Sequence, residues 1–397
     1  MYFFLIVLGI MTFVYSYVGW RIIVPLGLSH PMNILASILM LVLLGLPFIS
    51  ILLRIYEYHN YFIYLLTWIS YLSLGFVTLV FLFLVVRDLG LFTAVIISKL
   101  FAIVRSFTET GASPPNLLNP ERHLFIVRSL NLFILGLTGI LTVWGIYSAL
   151  HGPRIVNVTI PIENLNDNLD GFRIVQITDI HAGSTIRRPY VQKIVDMVNS
   201  LDGDAVVFTG DVADGKVSTI KEYVAPLAEL AAPYGKFFVT GNHEYYSGVE
   251  DWIGEMPRLG FEVLLNEHRI ISYGGGRVLL AGVTDYDGGQ FLESHVSNPE
   301  ASLSGAQPGD VTILLTHQPR SIFRAAAAGF DLVISGHTHG GQYFPWNFFI
   351  GLQQPYTAGL HRHGKTFIYV SRGSGYWGPP LRGGIPSEIT VITLRKP

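Results

Sequence analysis

The stretch Leu332-Val-Ile-Ser-Gly336-His337-Thr338-His339-Gly-Gly341 joins a short apolar run to a cluster of imidazoles and glycines. It is β-branched in its middle and ends in glycine. It therefore reads as a buried strand whose chain turns sharply at the carboxyl end. Working outward, the same arrangement recurs. Arg173–Thr178 precedes Asp179-Ile-His181, and Ala205–Thr209 precedes Gly210-Asp211-Val-Ala-Asp214. Phe237–Thr240 precedes Gly241-Asn242-His243-Glu244, and Val311–Thr316 leads into His317. Another apolar run lies at Val278–Val283, and helical patterns at Tyr190–Leu201, Ile220–Ala231 and Pro319–Ala328 separate several of these strands. Strand–helix alternation predicts an α/β domain with a largely buried sheet. In open α/β sheets ligands bind beyond the carboxyl ends of the strands, so these polar motifs are expected to converge on one rim.

The side chains on that rim suit divalent cations. Imidazoles and carboxylates bind transition metals, and an amide oxygen can complete a shell. The set is Asp179, His181, Asp211, Asn242, His317, His337 and His339. Two ions about 3.5–4 Å apart can clamp an in-line displacement at phosphorus, which needs a ligand set of this size with one shared carboxylate. A lone His or Asp after a strand is ordinary turn chemistry; the ordered set is not. His268, His295, His361 and His363 lie outside such motifs and are expected in surface or loop roles. The chain has no cysteine, which excludes disulfides, thiolate metal sites and cysteine nucleophiles. A formal net charge of −2 offers no electrostatic case for nucleic acid.

The first part of the chain is of another kind. Residues 1–150 hold seven Lys/Arg and four Asp/Glu, and the remaining charges lie in 151–397. Apolar runs at Tyr2–Trp20, Ile34–Leu53, Tyr61–Val86 and Leu130–Leu150 have the length of a bilayer crossing, about 20 residues. Trp20, Tyr61, Tyr64 and Tyr147 sit near their ends as interfacial aromatics do. Leu91–Val104 is shorter, contains Lys99, and is expected to be an interfacial helix. No span carries an ionisable residue near its centre, so the helices are expected to anchor rather than transport. The loop between the third and fourth runs carries Arg87, Lys99, Arg105, Arg122 and Arg128, with a Pro/Asn-rich stretch at 110–120. By the positive-inside rule this loop is cytoplasmic, which puts the C-terminal domain outside the cytoplasm.

The ordered set DxH–GDxxD–GNHE–H–GHTH resembles the calcineurin-like metallophosphoesterase superfamily across essentially all of 155–397. Gly336–Gln342 and the tail Gly378-Pro-Pro-Leu-Arg-Gly-Gly-Ile-Pro-Ser-Glu-Ile-Thr390 look like its YkuE/YaeI-like branch of bacterial phosphoesterases, and the four-span N-terminus is similar to the transmembrane members. The resemblance implies a four-helix transmembrane anchor over 1–150, followed by an α/β domain over 151–397, a two-sheet β sandwich flanked by helices. It implies an integral protein of a bacterial cell membrane and two divalent ions, typically manganese, iron or zinc. Asp179, His181 and His339 would hold the first ion and Asn242, His317 and His337 the second, with Asp211 between them. His243 matches the family's non-ligand histidine, which assists the leaving oxygen, and Asp214 the carboxylate that orients it.

The expected activity is hydrolysis of a phosphoester, phosphodiester or pyrophosphate in a small-molecule or lipid-linked substrate. The alternative is a catalytically silent metal-binding scaffold or sensor module, against which the retained ligands and His243 weigh. Arg187 and Arg188 are either phosphate contacts or a solvated pair at a helix start. Tyr343, Phe344, Trp346, Phe348 and Phe349 form either a core hairpin or a contact for acyl chains and headgroups.

Overall fold

The computed structural model describes residues 2–55, 60–108, 120–307 and 309–397. Packing divides the chain into two units, Met1–Trp144 and Gly145–Pro397.

The first unit is helical. Helices α1 (Tyr2–Leu26), α2 (His30–Ile55), α3 (Tyr61–Thr108) and α4 (Pro120–Leu150) are each long and apolar enough to cross a membrane. The last turns of α4 belong to the second unit. Helix α3 corrects one expectation. Leu91–Val104 is not a separate interfacial helix but the unbroken continuation of the third span, giving 48 residues in all. At 1.5 Å per residue α3 is about 72 Å long, over twice the thickness of a hydrocarbon core of about 30 Å. Gly90 within it costs only about 1 kcal/mol, too little to break a helix without proline. Arg87 and Asp88 therefore lie in mid-helix and are tied to their neighbours: Asp88 accepts from Tyr17, Arg21 and Arg87. Arg87 in turn donates to Asn131, whose amide donates to Arg21 O. Most of the Pro/Asn-rich stretch lies outside the described residues.

Among its described residues the second unit has twelve strands: β1 (Arg154–Pro161), β2 (Arg173–Ile177), β3 (Ala205–Phe208), β4 (Lys236–Phe238), β5 (Glu262–Val263), β6 (Glu267–Tyr273), β7 (Gly276–Gly282), β8 (Val311–Leu315), β9 (Leu332–Ser335), β10 (Gly359–His363), β11 (Thr366–Val370) and β12 (Glu388–Arg395). They form two six-stranded sheets, ordered β1-β12-β2-β3-β4-β5 and β10-β11-β9-β8-β7-β6. Helices α5 (Arg188–Asn199), α6 (Val217–Val224), α7 (Asn242–Ser247), α8 (Val249–Arg258), α9 (Ile322–Ala328) and α10 (Trp346–Phe349) complete the unit.

The strands are continuous apolar runs because both of their faces are buried. In β3, Ala205 and Val207 face the space between the sheets, while Val206 and Phe208 pack with Val191, Ile194 and Trp252 of α5 and α8. In β8 and β9, Ile313 and Ile334 point to the same inter-sheet core, and Leu314 and Val333 meet Ile322 and Ala325 of α9. The period of two that sorts these residues is the pleat of a strand. The result is a sandwich with helices on both outer faces, as the resemblance implied. β2, β3 and β4 are mutually parallel, as are β7, β8 and β9, so each sheet presents a row of carboxyl ends.

Candidate metal centre

The polar motifs occupy those carboxyl ends: Asp179 and His181 after β2, Asp211 and Asp214 after β3, Asn242 and His243 after β4, His317 after β8, and His337 and His339 after β9. The backbone there is unusual. Asp179, His181, Asp211, His337 and His339 have positive φ, between 51° and 72°. The left-handed region costs about 1–2 kcal/mol for a residue with a Cβ, so sequence preference alone does not place these residues there. The glycines make it possible. A Cβ on Gly336 would collide with the Asp179 carboxylate, and one on Gly241 with that of Asp211.

The side chains converge in three overlapping groups: Asp179, His181 and His339; His181, Asp211 and His243; and Asp211, His317 and His337. Within each group the ligand atoms lie within 4.8 Å of one another. Asp211 is common to two of them. Its Oδ2 is 3.2 Å from His317 Nε2, 3.6 Å from His181 Nε2 and 4.0 Å from His243 Nε2. The His181 and His339 Nε2 atoms are 3.0 Å apart, and His317 Nε2 is 3.1 Å from His337 Nδ1. Asn242 Oδ1 is buried with no hydrogen-bond partner.

Hydrogen bonds fix the orientation of the rings. His317 Nδ1 donates to Thr209 O at 2.7 Å, which turns Nε2 toward the Asp211 oxygen. His181 Nδ1 donates to Asp214 Oδ1 at 2.9 Å. A partner on the far nitrogen is how metal-ligating histidines are usually held. His339 is held from the other side. Its Nδ1 lies 2.9 Å from Arg382 Nη2, and a guanidinium has no acceptor, so that nitrogen accepts and the proton of the neutral ring sits on Nε2.

Electrostatics match this geometry. Burial pushes the Asp179 carboxyl above its usual range; Asp211 adds to the shift and His317 opposes it. Burial disfavours the charged form of His243, but Asp211 and Asp214 outweigh it and raise the ring to about 9. Its Nδ1 is 2.7 Å from Asp214 Oδ1, so one carboxylate serves both His181 and His243. Two buried carboxylates, imidazole nitrogens facing one another and an orphaned amide oxygen fit a pair of cations by donor chemistry.

Three features were not foreseen. Glu244, fourth in GNHE, is buried and accepts from the backbone N–H groups of Gly241, Asp211 and Val212, locking the β3 and β4 loops together. Burial and the nearby Asp211 push it up to about 7, against the pull of those three bonds. Its signal was the carboxylate at the third helical position of α7, where a capping-box residue belongs. Arg382 is fully buried and had no local signal. Asp285, after β7, is also buried beside His317 and is held by Gln318.

Arg187 stacks over Tyr223, and Arg188 reaches Glu222 O, so both guanidiniums engage α6. His268 lies in β6 and His361 and His363 in β10, half-buried, while His295 lies in a loop and receives Tyr245. Tyr343 is buried, but Phe344, Trp346, Phe348 and Phe349 are exposed, which removes the core-hairpin reading for those four.

The calcineurin-like phosphoesterase family profile matches residues 172–341. The chain is similar to a transmembrane protein with metallophosphoesterase domain from Danio rerio, 38% identical over 268 residues, covering 66% of this chain and 61% of that one. It is similar to an uncharacterized metallophosphoesterase of Aquifex aeolicus, 34% identical over 61% of this chain and 92% of the relative. It is likewise similar to the uncharacterized metallophosphoesterase YkuE of Bacillus subtilis, 32% identical over 60% of this chain and 84% of the relative. The chain thus spans about three-fifths of the length of the animal relatives, at 61%. With its motif set at the carboxyl ends of two facing sheets and these relatives, the chain belongs to the calcineurin-like metallophosphoesterase family.

Proposed function

We propose that this chain hydrolyses phosphate esters with two divalent cations, held by 151–397 while 1–150 serves as a membrane anchor. The observation that carries the reading is the sharing of Asp211 between two of the three ligand groups on one buried rim. Asp179, His181 and His339 hold one cation and Asn242, His317 and His337 the other, with Asp211 contributing to both. Manganese, iron and zinc all suit this donor set. When bound, the cations supply Lewis acidity toward the phosphoryl oxygens and an acidified water.

The chain's own residues do the rest. Asp214 orients His243 through Nδ1, leaving Nε2 to give a proton to the departing oxygen. Glu244 keeps the loops bearing Asp211 and Asn242 in register. The substrates are phosphomonoesters, phosphodiesters or pyrophosphates, lipid-linked ones included. The positive charges Lys99 and Arg105 toward the end of α3 and Arg122 and Arg128 near the start of α4 support an extracytoplasmic catalytic domain, because an unbroken α3 keeps the number of spans even.

The test is turnover of bis(4-nitrophenyl) phosphate and 4-nitrophenyl phosphate by the purified full chain loaded with manganese, iron or zinc. Turnover that EDTA abolishes and metal restores is the expected result. No turnover with any of the three sinks the reading.

A further inference from the structure

The catalytic rim and the end of helix α4 lie on the same edge of the sandwich. β12 is antiparallel to β2, and β1 is parallel to β12. The starts of β1 and β12 therefore sit at the edge where β2 ends in Asp179. Arg154 is opposite Glu388, and Thr390 opposite Gln176, which puts the start of β1 two strand spacings, about 10 Å, from the ligand-bearing end of β2. α4 ends at Leu150, immediately before β1.

The loop after β11 then reaches back along α4. Leu381 packs against Gly145, and Arg382 N donates to Gly145 O at 3.0 Å. Gly145 lies five residues before the end of α4, about 7.5 Å down the helix axis. Tyr147, one turn from that end, is 64% exposed, as an interfacial aromatic is. The same loop carries Trp377, whose ring centroid is 5.8 Å from that of His243.

This loop holds a second excursion. Gln342 Nε2 donates to Trp377 O and Pro379 O at 2.9 and 3.0 Å, and Tyr343 bridges to Gly384. Directly beyond it Phe344, Trp346, Phe348, Phe349 and Leu352 are all exposed, Phe348 at 68% and Leu352 at 82%. Such a concentration of exposed large apolar side chains marks a contact surface. Between Asp331 and Glu388 the sequence has no Asp or Glu, so an anionic headgroup layer meets no like charge from this segment.

We propose that Phe344–Leu352 is a membrane-contact element, seated in the interfacial layer of the bilayer beside α4. Trp and Phe prefer that layer, and the covalent entry of α4 on the same edge brings it within reach. The rim then faces the lipid surface and takes phosphate esters presented there; this corollary rests on the phosphoesterase reading above, while the contact itself does not.

The absence of cysteine permits a direct test. Phe348→Cys, Phe349→Cys and Leu352→Cys are each spin-labelled in the full chain, reconstituted in nanodiscs of three parts phosphatidylcholine to one part phosphatidylglycerol. Phe323→Cys on α9, exposed in the parent, serves as the aqueous reference. Labels on the element are expected to collide with oxygen and to be shielded from a water-soluble nickel chelate several-fold relative to the reference; three positions guard against one variant failing to fold. Chelate access equal to the reference at all three overturns the proposal, as does dipolar broadening from a second copy.

For the corollary, Phe348→Ser/Phe349→Ser is expected to leave turnover of soluble bis(4-nitrophenyl) phosphate unchanged. Turnover of a dodecyl 4-nitrophenyl phosphate diester dispersed in the nanodiscs should fall several-fold. Equal turnover of the lipidic diester overturns the corollary. No turnover of the soluble diester by the parent overturns the phosphoesterase reading, and the labels still decide the contact.

Discussion

Among the described residues each unit of this protein contains a knot of buried and half-buried polar side chains, and the two are built on different electrostatic terms. Among the apolar helices, opposite charges meet. Asp88 receives Arg21, Arg87 and Tyr17, and Asn131 is both donor and acceptor; Arg21 Nε alone is left without an acceptor. On the rim, atoms that can ligate a cation crowd one another. His317 Nε2 faces Asp211 Oδ2, Asp179 and Asp211 are buried together, and Asn242 Oδ1 has no donor at all. The first knot satisfies itself and holds helices together. The second gathers ligand atoms within 4.8 Å of one another around an amide oxygen without a donor, which is what separates a binding site from a structural ion network. A burial count alone does not distinguish them.

The difference is sharpest at Asp211, so its loss has the largest effect. Asp211→Asn removes the charge shared by two ligand groups. Metal analysis should then find fewer than two ions per chain, and turnover should fall by about 4 kcal/mol of barrier, near a thousand-fold. Retention of both ions with parental turnover would break the comparison, because the rim would then be as self-sufficient as the helical knot. His243→Ala comes next. His243 is the farthest of the three imidazoles from Asp211, so both ions should remain while kcat falls about 10²-fold or more, the usual worth of a positioned general acid. Loss of metal in this variant would make His243 a ligand.

Arg382→Met tests the support beneath the rim. The guanidinium holds His339 by both Nδ1 and the carbonyl oxygen, and its own backbone N–H is tied to Gly145 at the end of α4. Removing it leaves the ring free to turn. Manganese affinity, measured by titration of the metal-stripped chain, should fall about 10–100-fold, as for other residues that orient metal ligands. Arg382→Lys restores a charge but not the two-pronged geometry and should recover only part of the loss. A variant whose melting temperature drops while its affinity holds would show Arg382 to be a packing residue only.

Much of this arrangement was legible in the chain. The five motifs after apolar runs could be placed on strand ends because a strand buried on both faces leaves a continuous β-branched run, and β2, β3, β8 and β9 are of that kind. Of the strands that escaped, β1, β5, β6 and β10 have a wet face or very few residues, while β11 and β12 are buried and escaped all the same. β1 alternates between exposed and half-buried positions, β10 carries His361, Arg362 and His363, and β5 has two residues. Arg382 and Gln342 were illegible for a different reason: their partners are 43 and 35 residues away in sequence, and no local pattern announces such a contact. The end of α3 was misread because charged residues suggest a helix boundary when their partners on α1 and α4 are not known.

That misreading leads to the smallest expected effect. In Asp88→Asn, the amide oxygen still accepts from Arg21 or Arg87, and the charge and the acceptor facing Tyr17 are lost. Polar contacts between membrane helices average about 0.6 kcal/mol, so the detergent-solubilised chain should lose at most a few degrees of thermal stability. Two ions per chain and parental turnover should persist, because nothing in the helical knot awaits a ligand. A large drop in metal content would mean that the helices transmit strain to the rim. The knot would then be part of the catalytic apparatus rather than its fastening, and the contrast between the two clusters would fail from the other side.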